Sequence, residues 1–332
     1  MLSSKLLAIL EEAYDKDIAS SLSLFVGQGL KSEGDIKLHV GHSCKNPLVK
    51  TNEHTLYDLA SLTKIIGTTP SIAQAIIEKR LSLNLKPFLS WPDTTIKQLL
   101  AHTSGLVAHK KFYEDKKISK NYIYEQLFLE NPISTNTRVY CDLGFMALGY
   151  LLEKMYHSSL NEIFTRLFFM QHWRFKSFIS SKSATLHPTI APTDKLISGQ
   201  VNDLNCYYMG GLAGHAGLFG DLDNVSRVAR FFLKSYKDPK APLEKLLKYF
   251  MINYLSFDKP TPSGSGSAFS HQAFGHFGFT GTSLWIDPQA CANEGAIIVL
   301  LTNRVYKSQK SEGIFWLRKK INDCVIKHFI VR

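Results

Sequence analysis

Ser61-Leu62-Thr63-Lys64 sets a hydroxyl and an amine three residues apart at a predicted helix start, so both side chains emerge on one face of the first turn. A serine hydroxyl becomes a useful nucleophile when a base removes its proton, and a partly desolvated lysine beside it can be that base. The same turn offers unpaired backbone N–H groups and the positive end of a helix dipole, which suit a developing oxyanion. Taken singly, the spacing is better read as a helix-start hydroxyl followed by a solvated lysine. Ser256-Phe257-Asp258-Lys259 repeats the pattern just before Pro260 and a Ser/Gly run, where no helix can hold the pair together, and it serves as the inactive comparison.

The elements that must position such a pair can be read from periodicity. A first amphipathic helix covers about Leu2 to Tyr14, and Ser21–Val26 and Ile36–Val40 alternate as a hairpin across the Gly29–Gly34 turn. The helix that opens near Ser61 runs towards Arg80 with Pro70 kinking it. From Leu85 to about Leu255 the pattern is mostly helical, with helices at Ile96–Ala101, Asn121–Leu129, Leu143–Met155 and Asp223–Tyr236. Pro260–Ser267 has the composition of a mobile linker. Beyond it Phe279–Ile286 and Ala296–Asn303 read as strands and Ile314–Ile330 as a closing helix.

Strands at both ends with helices between predict an α+β fold: an antiparallel sheet formed by the N- and C-terminal segments, flanked by helices, with an inserted, mostly helical lobe. Residues 1–66 and 262–332 form the expected sheet region and 67–261 the helical region of one structural unit.

With 332 residues, 45% of them hydrophobic, the chain can bury a substantial core. Five scattered cysteines without a Cys-x-x-Cys pair give no disulfide framework or zinc knuckle, and read as reduced thiols in a cytoplasmic protein. The apolar run Leu6–Leu10 is cut by Glu11 and Glu12, short of a signal-peptide core, and no later segment approaches about 18 uncharged apolar residues, so no membrane span is expected. The net charge of +11 is dispersed. Lys110-Lys111, Lys116-Lys117 and Arg318-Lys319-Lys320 are its notable clusters; no nucleic-acid motif interleaves them, and solvated surface is the expected reading.

Three further stretches stand in order around Ser61. They are the turn His102-Thr103-Ser104-Gly105-Leu106, the loop Tyr140-Cys141-Asp142 before a strong helix, and Gly275-His276-Phe277-Gly278-Phe279-Thr280-Gly281 at the opening of a strand. With Gly214-His215-Ala216-Gly217-Leu218-Phe219 they make the chain resemble the penicillin-binding serine hydrolases, most closely the branch of class C β-lactamases and their esterase relatives. The resemblance implies Ser61 as the acylated nucleophile, Lys64 as its partner, and Tyr140 as the phenol that shares a proton with the lysine and later activates water. A nearby ammonium would lower that phenol's pKa; read alone, Tyr140 is a half-buried phenol capping the next helix. The backbone N–H groups of Ser61 and Phe279 would form the oxyanion hole, with Gly278 allowing close approach of substrate.

Three positions depart from the family pattern. His276 stands where a lysine is usual, Phe277 replaces a hydroxyl residue, and Asp142 replaces an amide. Asp142, His276, Phe277 and Gly278 are the expected substrate-binding residues. His102 and His215 read as structural, and no metal or cofactor site is expected, since no ligand spacing such as His-Glu-x-x-His occurs. The expected activity is hydrolysis of an ester or amide through an acyl-enzyme, with weak or no β-lactamase activity. The substrate would be a small ester, a D-amino-acid peptide or a cell-wall-derived muropeptide, with no nucleic-acid partner and the oligomeric state left open. The rival reading is a catalytically inactive penicillin-binding-like protein with a binding or assembly role, for which Phe277 speaks.

Overall fold

The computed structural model describes residues 1–45, 48–115, 118–133, 137–171, 189–193, 199–306 and 312–330. A six-stranded antiparallel sheet runs in the order β3-β2-β1-β8-β7-β6. Its N-terminal strands are β1 (Ser21–Gln28), β2 (Ile36–Lys45) and β3 (Leu48–Lys50), and its C-terminal strands are β6 (Phe274–Phe277), β7 (Ser283–Asp287) and β8 (Ala296–Thr302). The two ends of the chain meet where β1 pairs with β8, Leu24 opposite Leu300. A separate two-stranded ladder joins β4 (Tyr57–Asp58) to β5 (Phe219–Gly220).

The period of two along β1 and β8 feeds two cores. Leu22, Leu24 and Val26 of β1, with Ile298 and Leu300 of β8, face helices α1 (Leu2–Asp15) and α10 (Glu312–Ile330). Phe25, Val299 and Leu301 face the other way, into the larger core built on the helical lobe. Each of α1 and α10 presents one apolar stripe to the sheet: Leu6, Ile9, Leu10 and Ala13 on the first, and Ile314, Leu317, Ile321 and Val325 on the second.

The lobe begins with α2 (Thr69–Ile77), preceded by a π-helical turn over Lys64–Thr68. Pro70 occupies the first turn of α2, where its missing N–H costs nothing, so the irregularity anticipated at Pro70 falls just before it. There follow α3 (Ile96–Ala101), α4 (Lys120–Phe128), α5 (Asp142–Tyr156), α6 (Leu160–Met170), α7 (Leu204–Tyr208), α8 (Leu222–Lys237) and α9 (Pro242–Ile252). Of these, α8 packs on the sheet through Val225, Val228 and Phe232.

Two expectations from the sequence are corrected. Phe279 is not in a strand: residues 278–282 turn between β6 and β7, because Gly278 N–H bonds Thr282 O across the reversal (2.7 Å). Pro260–Ser267 is a fastened loop rather than a free linker. Thr261 N–H bonds Ser265 Oγ, the Asn322 side chain holds Ser265 O, and Asp323 accepts the Ser267 and Ala268 N–H groups. Gly and Ser here supply turn geometry and hydrogen bonds to α10, which composition alone does not distinguish from a linker.

Candidate active site

The backbone delivers Ser61 through a strained corner. Leu59 N–H bonds Leu218 O beside the β4–β5 ladder, and Asp58 Oδ1 accepts the Ala60 N–H (2.8 Å) while Oδ2 accepts that of Asn202 (2.7 Å). Ala60 is thereby held at φ 46°, a left-handed conformation uncommon for alanine, immediately before Ser61. The corner turns Ser61 into an open cleft of about 890 Å³ that Tyr140, Asp142, His276 and Phe279 also line.

Lys64 is fully buried behind it. Its Nζ contacts Ser61 Oγ at 2.8 Å, Asp142 Oδ1 at 2.7 Å and His215 O at 3.1 Å, three acceptors for the three protons of an ammonium. Burial works against that charge, but the Asp142 carboxylate and the Tyr140 oxygen outweigh it and hold the Lys64 pKa above the ordinary lysine value. For Asp142, burial is again outweighed by Lys64 and by His109, whose Nδ1 lies 3.4 Å from Oδ2, and its carboxyl sits well below the usual range. The hydrogen bond to Asp142 in turn raises His109.

The Tyr140 oxygen lies within hydrogen-bonding reach of Lys64 and Ser61. Its pKa is pushed up to about 12: the residue is 36% exposed, but its surroundings desolvate the phenol by more than Lys64 lowers it. The anticipated lowered phenol pKa is therefore not met, nor is the partly neutral lysine: the resting pair is an ammonium and a phenol. Desolvation is the main reason, and the Asp142 charge adds to it by offsetting part of the field that Lys64 exerts on Tyr140.

His102 fixes this loop from behind. It ends α3 in a left-handed conformation, its carbonyl accepts the Val139 N–H (2.9 Å), and its Nδ1 accepts the Cys141 N–H (3.0 Å), bracketing Tyr140. Its ring packs 4.8 Å from that of Tyr140. His215 bonds Asp203 through Nε2 (3.0 Å) and offers its carbonyl to Lys64. Ligand atoms of His109, Asp142 and Asp203 lie within 4.8 Å of one another. The Asp142 carboxylate, however, is bonded to an ammonium that opposes a second cation there.

The opposite wall is β6 and its turn. His276 is buried, and its Nδ1 bonds Phe277 O (2.7 Å), which puts the proton on Nδ1 and leaves Nε2 as an acceptor. Burial lowers the His276 pKa, which disfavours the charged ring. A Cβ on Gly278 would lie 2.0 Å from Thr282 Oγ1 and 2.8 Å from Leu59 O, so only glycine lets the turn lie against the Ser61 corner. Thr280 Oγ1 donates to Asp58 O (2.8 Å) and Thr282 Oγ1 to Leu59 O (3.2 Å), fastening the two backbones together. Among the described residues, neither the Ser61 nor the Phe279 N–H donates to another backbone group.

Sequence reasoning missed His109, Asp203 and Arg318. The Arg318-Lys319-Lys320 cluster is not all surface: Arg318 is buried behind Phe277, in line with Ile314 and Ile321 on the inner stripe of α10, a register the helical period could have revealed. Lys110 and Lys111 do lie outside, paired with Glu130 and Glu114, whereas Lys116 and Lys117 fall outside the described residues. The second Ser-x-x-Lys is taken apart by the fold: Ser256 is buried at φ 71°, and Lys259 lies over the Tyr254 ring. No described helix is long and apolar enough to cross a membrane.

The comparisons with known proteins agree with this architecture. An N-acetylmuramyl-L-alanine amidase of Bacillus subtilis is 26% identical over 91% of this chain and 82% of its own length. A Salmonella gallinarum protein, provisionally named a D-alanyl-D-alanine carboxypeptidase, is 25% identical over 81% of this chain and 74% of its own. A class C beta-lactamase from Rhodobacter sphaeroides superposes with a TM-score of 0.71 at 14% identity, covering 98% of this chain and 99% of that one. The family model described as Beta-lactamase matches residues 33–322, and the chain belongs to that family of hydrolases.

Proposed function

We propose that this protein is a serine hydrolase that cleaves an amide or ester through an acyl-enzyme on Ser61. The observation that carries the reading is the convergence of the Ser61 hydroxyl, the Lys64 ammonium and the Tyr140 oxygen at one turn. Lys64 already spends its protons on three acceptors, so the proton of Ser61 goes to Tyr140. As Ser61 Oγ bonds the acyl carbon, the phenolic proton of Tyr140 moves ahead towards the leaving nitrogen or oxygen, and the phenolate so developing takes the proton of Ser61. The phenol is neutral before and after, and the adjacent ammonium stabilises the anionic character it acquires between. The N–H groups of Ser61 and Phe279 receive the carbonyl oxygen. Water then repeats the sequence against the acyl-enzyme, with Tyr140 as base.

The substrate class follows from the second wall and from the relatives. A buried His276 whose charged form is disfavoured offers no cation to a substrate carboxylate. The amidase and carboxypeptidase names of the relatives favour a peptide amide of cell-wall type over a β-lactam. The free thiols of Cys141, Cys206, Cys291 and Cys324 support a reducing, cytoplasmic setting.

The test is a fluorophosphonate probe read by peptide mass spectrometry. It labels Ser61, and Ser61→Ala abolishes labelling and lowers ester turnover by at least about 10³-fold while the melting profile is kept. Persistent labelling in that variant, or none in the native protein, refutes the reading; the latter result favours the non-catalytic alternative.

A further inference from the structure

Behind the edge strand lies a cation that the mechanism above does not use. Arg318 is only 4% exposed, and no carboxylate pairs with it among the described residues. Its Nη2 donates to Gly278 O at 2.9 Å and to Thr282 O at 2.7 Å, and its guanidinium stacks on the Phe277 ring, 4.5 Å from the centroid. A buried cation without a counter-ion is costly unless its field is answered, and here two carbonyl dipoles and one aromatic face answer it. Burial, with Arg304 nearby, lowers its pKa to about 9, which leaves it charged at neutral pH.

The first of those carbonyls is the informative one. Gly278 C=O and Phe279 N–H belong to the same peptide unit, and in a planar trans peptide the two point in opposite directions. With the carbonyl turned towards Arg318, the Phe279 N–H is turned away from it, and Phe279 lines the cleft beside Ser61. A charge-assisted bond to the oxygen of an amide also draws electron density from its nitrogen, so the N–H becomes a stronger donor. The bond to Thr282 O fixes the far side of the same turn.

We infer that Arg318 is a positioning residue for the oxyanion hole, aiming and polarising the Gly278–Phe279 peptide from behind. This rests on the assignment of Ser61 and of the Phe279 N–H in the proposed function. It also gives Phe277 a place: its ring covers one face of the guanidinium, which borders the cleft but is only 4% exposed and directs its hydrogen bonds to the two carbonyls of the turn. A lysine and a hydroxyl on β6 would put the positive charge on the substrate side of the same peptide.

The experiment compares the native protein with Arg318→Lys and Arg318→Met. The phosphonylation rate of Ser61 is followed by mass spectrometry, and the ³¹P resonance of the adduct is then recorded. In that reaction Ser61 Oγ–P forms, P–F breaks and fluoride leaves, with the phosphoryl oxygen in place of the oxyanion. Arg318→Met should slow labelling by about 10²-fold, the scale of one lost oxyanion donor, and Arg318→Lys should recover it to within about tenfold of native. The ³¹P resonance should move in the methionine variant and return towards native in the lysine variant. A partly unfolded sample lowers the rate but does not shift the signal of correctly folded adduct, so the resonance separates polarisation from mere support. Labelled native Ser61 with an unchanged rate in Arg318→Met, or with an unmoved resonance, overturns this inference alone. Failure of native Ser61 to label overturns the reading beneath it.

Discussion

The two walls of the cleft are built on opposite electrostatic plans. On the Ser61 side, charge is dense and internally cancelled: Lys64 sits between Asp142 and the His215 carbonyl, His109 backs Asp142, and Asp203 holds His215. On the β6 side the surface is aromatic, with a buried His276 whose charged form is disfavoured and the Phe277 and Phe279 rings, and the positive charges of Arg304 and Arg318 lie beneath those rings. In the proposed function the first wall is the bond-breaking centre, whose groups must keep one geometry, and the second is the recognition surface, which works by shape. On that reading catalytic chemistry and ligand choice are separable, and each variant below acts on one wall only.

The largest effect is expected where the first wall is cut at its proton path. Lys64→Ala and Tyr140→Phe should each reduce ester kcat by about 10² or more, and the double variant should lose little beyond the worse single one. The reason is that in the proposed mechanism Tyr140 donates and accepts within one step while Lys64 stabilises the same developing charge. Steady-state rates of the four proteins complete the cycle. Losses that multiply fully would mean that the two groups work independently and that the wall is not one unit.

A second effect, read in stability and not in rate, follows from breaking the ion pair without touching Ser61. Asp142→Asn leaves a buried ammonium without its counter-charge, a change that typically costs about 3–5 kcal/mol. The pH window follows from the two shifts. The depressed Asp142 carboxyl contributes stability above its unfolded pKa of about 3.9 and loses it as pH falls through the folded value. The raised Lys64 contributes below its unfolded pKa of about 10.4 and loses it as pH rises through the folded value. Urea unfolding at pH 5, 7 and 9 should therefore show the same deficit for the variant, shrinking below about pH 4. Equal stabilities at pH 7 would show that the pair does not support the wall.

The first wall was largely legible in the sequence, and the second was not. Ser61, Lys64 and Tyr140 announce themselves because nucleophile, amine and phenol each belong to short, ordered motifs, and the fold brings them together. The antiparallel sheet from the two chain ends was also legible, since Ser21–Val26 alternates polar and apolar residues and Ala296–Thr302 is a short, nearly continuous apolar run. The protonation states were not, because they depend on Asp142 meeting Lys64 across 78 positions, a distance that no local pattern encodes. His109 belongs to no motif and meets Asp142 only in the folded chain. Arg318 was hidden differently: it stands in a basic run, and its identity outweighed its place on the apolar stripe of α10. The 278–282 turn was read as strand because Phe279 and Thr280 have strand-like side chains, whereas the bond from Gly278 N–H to Thr282 O reverses the backbone there.

The smallest effect tests the second wall directly, by restoring charge to it. His276→Lys with Phe277→Thr supplies a cation and a hydroxyl on the substrate face of β6, where a β-lactam carboxylate could meet both. A charged hydrogen bond of this kind is worth about 1.5–3 kcal/mol in a favourable setting. The setting here is not wholly favourable. Position 276 is buried, Lys64 already lowers the pKa of a cation there, and removing the Phe277 ring uncovers Arg318, so the new charge meets repulsion from two sides. The lower end of the range is therefore expected, a gain of about tenfold in kcat/KM for a chromogenic cephalosporin. A short nitrophenyl ester without a carboxylate should change by less than about threefold, because Ser61, Tyr140 and the two N–H donors are untouched. The native protein should prefer the ester. If it already prefers the cephalosporin, or if the double variant leaves cephalosporin turnover where it was, carboxylate recognition does not run through β6 and the two walls do not divide the work in this way.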